Sequence, residues 1–441
     1  MNDAGLFWYR GADLRIDDQP SLNTLHAECP SGVFGAFVLE ERWLREVDPG
    51  FARMSNRRLE WLFESLAELK QEWRDRGSEL FIAVGKSESL IPQWAELLGV
   101  KRVATAPLPC PEEDTDTVRT ERGLAAMNVR LDVHRDTTLL ALNDLPFGIT
   151  DLPSVFTSFR RQVEADLRVN TCVEAPARLA AGCMNVPDVL PRALPGAAEV
   201  GRMPWESHEP DDGISLLPWA PGTAGGVARL HEFTWKSRAL SHYKETRNGL
   251  LERNDASRLS PWLAHGSLSA RQIYWTVREY EAAVGANEST YWLIFELLWR
   301  DYFHLWSLKH GDAAFRRCGV KNRELEWLED RPAFERWRRG ETSSDFVNAG
   351  MRELSQTGYL SNRLRQNAAS WLARNRHIEW RWGARWFESQ LVDFDPCVNW
   401  GNWQYLAGVG NDPRDRVFNV EFQAERYDPD GAYRTRWNLQ N

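Results

Sequence analysis

Residues 291–308 carry Trp292, Glu296, Trp299, Phe303 and Trp306 at steps of four, three, four and three. One face of a predicted helix therefore presents aromatic rings with a carboxylate among them. A carboxylate in such company needs partners or a raised pKa, and groups of that kind concentrate at working sites. The plain alternative is an i,i+4 surface pair between Glu296 and Arg300. A second cluster, Tyr359, Asn362, Arg365 and Gln366, is spaced by three, three and one, and its polar groups suit a grip on a planar, hydrogen-bonding ligand. An ordinary solvated helix face has the same pattern. The third cluster is Asp393, Phe394 and Asp395, followed by Asn399, Trp400, Gly401, Asn402, Trp403, Gln404 and Tyr405, then Gly408 and Gly410. Carboxylates, amides and glycines that admit close approach suit a ligand site. Paired aspartates also serve as an acid/base couple or as Mg²⁺ ligands, which the aromatic and amide neighbours disfavour.

All three clusters lie after His231, where Trp, Arg, Leu and Glu recur at helical intervals. The first third differs. Apolar runs at residues 6–9, 33–39, 80–84 and 102–104 have the length of buried strands. Between them Leu59, Leu62, Phe63, Leu66, Leu69 and Trp73 recur at helical spacing, and Ser87 is placed to cap a helix carrying Leu90, Ile91, Trp94 and Leu98. This predicts a parallel, Rossmann-like α/β domain, with no GxGxxG after its first strand to mark a conventional dinucleotide site. The periodicity fades near residue 135, and residues 187–226 have the Pro, Gly and Asp content of a connector. The expected division is an α/β domain over 1–134, a linker over 135–228 and a larger all-helical domain over 229–441.

A length of 441 residues fits two domains. No run approaches the roughly 20 apolar residues of a membrane helix, and no signal pattern opens the chain, so a cytoplasmic protein is expected. Cys29, Cys110, Cys172, Cys183, Cys318 and Cys397 are scattered without metal-ligand spacing, which disfavours structural zinc, iron–sulfur clusters and a disulfide framework. The net charge of −9 argues against coating nucleic acid by a general positive field, but leaves room for a local basic groove. Most of the 22 Trp read as core aromatics, although the number stands out.

Five long stretches, in order, resemble the photolyase/cryptochrome family: FWYRGADLRIDDQPSL, SRLSPWLAHGSLSARQIY, FELLWRDYFHLW, MRELSQTGYLSNRLRQNAASWL and WFESQLVDFDPCVNWGNWQYLAGVGNDPR. GVGNDPR, DLPSVFTSFR, Gln366 and Tyr405 are similar to its DASH branch. The resemblance implies FAD in the helical domain and light-driven repair of cyclobutane pyrimidine dimers, preferentially in single-stranded DNA, by a monomer. It assigns the flavin's phosphates to Tyr243, Ser257, Arg258, Leu259 and Ser260. Around the ring system and its sugar chain it places Arg300, Tyr359, Asn362, Arg365, Asp393 and Asp395, with Asn399 facing N5. An amide there, rather than an aspartate, is similar to the repair members more than to plant signalling cryptochromes. Trp403, Trp380 and Trp327 match the electron-hopping chain. Glu296, Trp299, Gln366 and Tyr405 match positions against the dimer, and Arg247, Arg363 and Arg416 match phosphate contacts on DNA.

Three departures from the family pattern stand out. Ala256 replaces a hydroxyl residue beside the phosphates, and Ser343, Asp345, Asn348 and Gly350 alter the entry to a helix, with the neutral Asn348 in place of a carboxylate. Residues 107–113 depart from the pattern that binds a methenyltetrahydrofolate antenna, with Pro109 where an acidic ligand is expected, so the antenna stays open. The rival to repair is a blue-light receptor that keeps flavin photochemistry without turnover, or a member that has lost its flavin. The short stretch after Trp437 weighs against a receptor with a long tail.

Overall fold

The computed structural model describes residues 3–180, 187–200, 217–411, 414, 415 and 417–438. Its strands are β1 Ala4–Tyr9, β2 Gly32–Glu40, β3 Glu46–Val47, β4 Phe51–Ala52, β5 Leu80–Gly85, β6 Arg102–Thr105 and β7 Arg130–Val133. β3 and β4 form a small antiparallel pair, and the others a parallel sheet in the order β5-β2-β1-β6-β7. Alternation along β1 sends Phe7 and Tyr9 to one core and Leu6 and Trp8 to the other. The helices Pro20–Glu28 and Asn56–Asp75 cover the first face with Leu22, Leu25, Leu62, Leu66 and Trp73. Ser87–Leu98 and Pro111–Ala125 cover the second with Ile91, Trp94, Leu98 and Leu124. A parallel sheet needs both faces covered, and its strand order reverses between β1 and β6, where such folds open a crevice.

The structure adds one strand and corrects one expectation. β7 was not foreseen, because as an edge strand it has no fully buried residue and so no apolar run. Ser87 is not a cap: Lys86 holds that position, while the Ser87 backbone N–H and hydroxyl both donate to the buried Glu40 carboxylate.

In the helical region, Asn287 and Thr290 form a capping box that starts the 23-residue helix Glu288–His310. Its buried side carries Leu293, Ile294, Leu297, Leu298, Tyr302 and Leu305. Pro396–Ala407 packs against it and also against Asn362–Ser370 and Trp380–Gln390, while Asp345–Thr357 packs on Asn362–Ser370. The two regions are joined by polar bonds. Arg271 Nε meets the buried Asp18 carboxylate at 3.0 Å, Arg15 donates to Gly266 O at 3.0 Å, and Arg53 pairs with Glu388 at 2.7 Å. Gly266 has φ +70°, and a Cβ there would lie 2.1 Å from Ala12 O, so only glycine fits this junction. Among the described residues no helix is long and apolar enough to cross a membrane.

Candidate functional site

A cavity of about 470 Å³ opens between Glu288–His310, Asn362–Ser370 and Pro396–Ala407. It gathers Trp292, Glu296, Trp299, Arg300 and Phe303 from the first helix, and Tyr359, Asn362, Arg365 and Gln366 from the second cluster. Asp393, Asp395, Asn399, Trp403 and Tyr405 close it, with Arg247 and Ser260 also on the wall. Trp306 leaves this face and is buried in the core. Tyr359 is not on the helix stripe either: Gly358 ends the preceding helix at φ +69°, and the next begins at Asn362 with Ser361 as its cap.

Glu296 does not pair with Arg300. Its carboxylate binds Arg247, and burial raises its pKa against that pairing. Arg300 instead donates to Thr137 O and approaches Asp395 at 3.8 Å. Trp299 is held between rings, stacked on Phe156 at 3.6 Å and 12° and on Phe303 at 5.6 Å. Phe156 belongs to the DLPSVFTSFR stretch, but no spacing in the sequence could have linked it to Trp299.

The polar floor rests on two aspartates. Arg365 Nη2 donates to Asp393 Oδ2 at 2.7 Å, and Asp393 Oδ1 is buried without a partner. Asp395 caps its helix by accepting from Val398 N at 3.1 Å. Burial alone would raise its pKa, yet the His304 ring at 2.7 Å, the Arg300 guanidinium and this N–H bring it down to about 2. His304 was missed in sequence because its partner lies 91 residues away. His304, Asp395 and Cys397 also form a group whose ligand atoms lie within 4.8 Å of one another, a proximity that sequence spacing hides. Asn399 Nδ2 donates to Ala384 O at 3.1 Å, which leaves Oδ1 as its acceptor.

Of the predicted phosphate group, Ser260 lines the cavity and Tyr243 is buried near it. Arg258, at φ +53°, anchors Arg253 O and Glu252 O, lies over the Tyr359 ring and keeps Nη1 unpartnered. Ser257 offers its carbonyl to Arg229, while the Leu259 side chain is core and leaves only its backbone for a ligand. Ala256 uses its carbonyl for the same Arg229. Asn348 accepts from Thr342 N and Oγ1 at 2.7 Å each and donates to Thr342 O at 3.0 Å, so the neutral amide still anchors its loop.

The three tryptophans expected to carry electrons are all buried, and Trp380 stacks edge-on against Trp400 of Pro396–Ala407 at 5.6 Å. Trp403 packs on Gly383, where a Cβ would lie 2.2 Å from its ring, and Gly383 belongs to the helix that Trp380 begins. Trp380 Nε1 donates to Arg317 O at 3.1 Å, and Arg317 Nη2 donates to Trp327 O at 3.1 Å. Exposure is 2% at Trp403, 0% at Trp380 and 7% at Trp327. Arg363 is bound to Gln366 and Asn248 and lies over Tyr427. Arg416 lies outside the described residues.

A second groove, of about 640 Å³, lies at the β1/β6 switch point against the helical region. Arg10, Glu112, Glu113, Arg385 and Trp400 are on its walls. Glu112 is held by Arg42 and Arg53, and burial raises Glu113 to about 7.

Unpartnered Asp393 Oδ1 and Trp403 Nε1 belong to residues that line an aromatic cavity, which fits a planar ligand with both donors and acceptors. Comparison with known proteins agrees. Residues 292–439 match the FAD binding domain of DNA photolyase, and residues 5–179 match DNA photolyase. Cryptochrome DASH of Gloeobacter violaceus is 42% identical, covering 98% of this chain and 85% of that protein. Cryptochrome DASH of Arabidopsis thaliana, described as chloroplastic/mitochondrial, is 37% identical over 98% of this chain and 75% of its own length. The crystal structure of the Synechocystis cryptochrome superposes with a TM-score of 0.93 at 38% identity, covering 98% of this chain and 88% of that one. A class III photolyase of Agrobacterium tumefaciens gives 0.83 at 26%, covering 98% and 86%. With the folds, the cavity and both halves of the sequence in agreement, the chain belongs to the photolyase/cryptochrome family as a DASH-type, FAD-binding member.

Proposed function

We propose that this protein repairs cyclobutane pyrimidine dimers in single-stranded DNA under blue light. Absorption of light and one-electron donation are the chemistry that FAD supplies when bound. The observation that carries the reading is Glu296, a carboxyl on the aromatic wall of the cavity, oriented by Arg247 and raised in pKa by burial. A base turned out of the strand loses its water and needs a hydrogen-bonding group of this kind. Trp299, fixed by its stacking, offers the apolar surface beside it. Arg365 and Asp393, paired at 2.7 Å, would hold polar groups of FAD, and Asn399 would offer it Oδ1 as a neutral acceptor rather than a full negative charge. Trp403, which lines the cavity, with the buried Trp380 and Trp327 beyond it, would supply oxidisable rings to a bound FAD.

The test is Glu296→Ala. Loss of one hydrogen bond to a charged group costs on the order of 1.5 to 3 kcal/mol, or roughly tenfold or more in rate when felt in the transition state. Repair of a single-stranded dimer should fall by that factor with FAD retained, while DNA affinity stays salt-dependent and does not fall, because Arg247 is freed from its partner. Undiminished repair would remove Glu296 from the reaction. Absence of repair in the fully flavinated wild type would favour a photoreceptor.

A further inference from the structure

Cys110 and Cys397 are 287 residues apart in sequence, yet their sulfurs lie 3.4 Å apart. Cys110 is the N-cap of Pro111–Ala125 in the α/β region, and Cys397 is in the first turn of Pro396–Ala407, between Asp395 and Asn399. Both are free thiols, buried with Ala12 and Leu108 in a small apolar cluster that spans the two regions. A disulfide has an S–S length of about 2.05 Å, so the sulfurs need to approach by only about 1.4 Å. Cys110 also lies on the wall of the 640 Å³ groove, which gives a small reagent a way in. His304 and Asp395 stand nearby but are engaged with each other, which leaves the two thiols as each other's reaction partner.

We propose that Cys110 and Cys397 form a reversible disulfide that staples the α/β domain to the flavin-bearing helix, through exchange with a low-molecular-weight disulfide of the glutathione class. The Cys110 sulfur attacks one sulfur of the reagent, a mixed disulfide forms, and the first small thiol leaves. Cys397 then attacks the Cys110 sulfur and expels the second. The two protein thiols are oxidised, the reagent is reduced to two thiols, and both protons go to those products. The helix N-termini favour thiolates, but the neighbouring thiol and burial push Cys110 up, and burial pushes Cys397 up. Exchange is therefore slow at neutral pH and rises about tenfold per pH unit as the thiolate fraction grows.

FAD-loaded protein is incubated with glutathione disulfide at several pH values, quenched by alkylation in denaturant, digested without reduction and read by mass spectrometry. The expected product is a peptide pair joining Cys110 to Cys397, two hydrogen masses below the sum of its parts and lost on adding dithiothreitol. Its formation should raise Tm by about 3 °C or more, and Cys397→Ser should abolish that rise. The proposal is overturned if Cys110 and Cys397 are both recovered alkylated while the exposed Cys172 carries glutathione. It is equally overturned if Cys110 stops at the mixed disulfide, or if Cys397→Ser shows the same rise in Tm.

Discussion

The Arg365–Asp393 pair shows what a single contact contributes to this site. Asp393 has a side chain only 1% exposed, so removing either partner strands a charge at a cost of about 3 to 5 kcal/mol. Arg365→Ala and Asp393→Ala should each lower the flavin-to-protein absorbance ratio after dialysis, and wild-type ratios in both would remove the pair from cofactor binding. Asn399→Asp sets a carboxylate oxygen against Ala384 O, which the amide now satisfies. Faster FAD release is expected in that variant, measured by fluorescence of the freed flavin. Residue types and spacing brought these positions into view, because 3.6-residue periodicity projects directly onto a face. Their partners were not legible. Glu296 has Arg300 four residues on, but binds Arg247 through the fold, and His304 was invisible until Asp395 stood beside it.

The elements divide their work between ordering aromatic rings and burying a few carboxyls. Trp403→Phe and Trp380→Phe keep volume but are harder to oxidise, so photoreduction of the bound flavin should slow in both with FAD retained. Wild-type rates in both, followed by absorbance under illumination, would show a different route. Glu353 of Asp345–Thr357 meets the Tyr433 hydroxyl of Ala432–Asn438, and burial raises it to about 7. The folded pKa lies above the unfolded one, so the stabilisation is complete below about pH 4 and is lost as pH rises to about 7. Tm should fall with rising pH more steeply in wild type than in Glu353→Gln, by up to about 3 kcal/mol of stability, and parallel curves would contradict this. Long helices and buried strands were readable because their patterns extend over many residues. β7 and the break at Gly358 were not, one being an edge strand without an apolar face and the other a single left-handed residue.

At the scale of the whole molecule, the α/β and helical regions are locked by buried polar bonds that no local pattern announces. Asp18 receives Arg271 and Ser269, so Asp18→Ala leaves a buried guanidinium unpaired and should cost about 3 to 5 kcal/mol in denaturant unfolding. A loss below about 1 kcal/mol would show that the junction is held by packing. The α/β plus helical architecture was legible from the change of periodicity along the chain, whereas the cavity arises only when three helices meet. In the function proposed here, this cavity turns absorbed light into dimer repair. Its most direct measurement is the number of defined thymine dimers split per flavin in single-stranded DNA, under blue light and in darkness, with protein of known FAD content. Repeated turnover in the light and none in the dark is predicted; intact photoreduction with no dimer split would rule out repair by this protein.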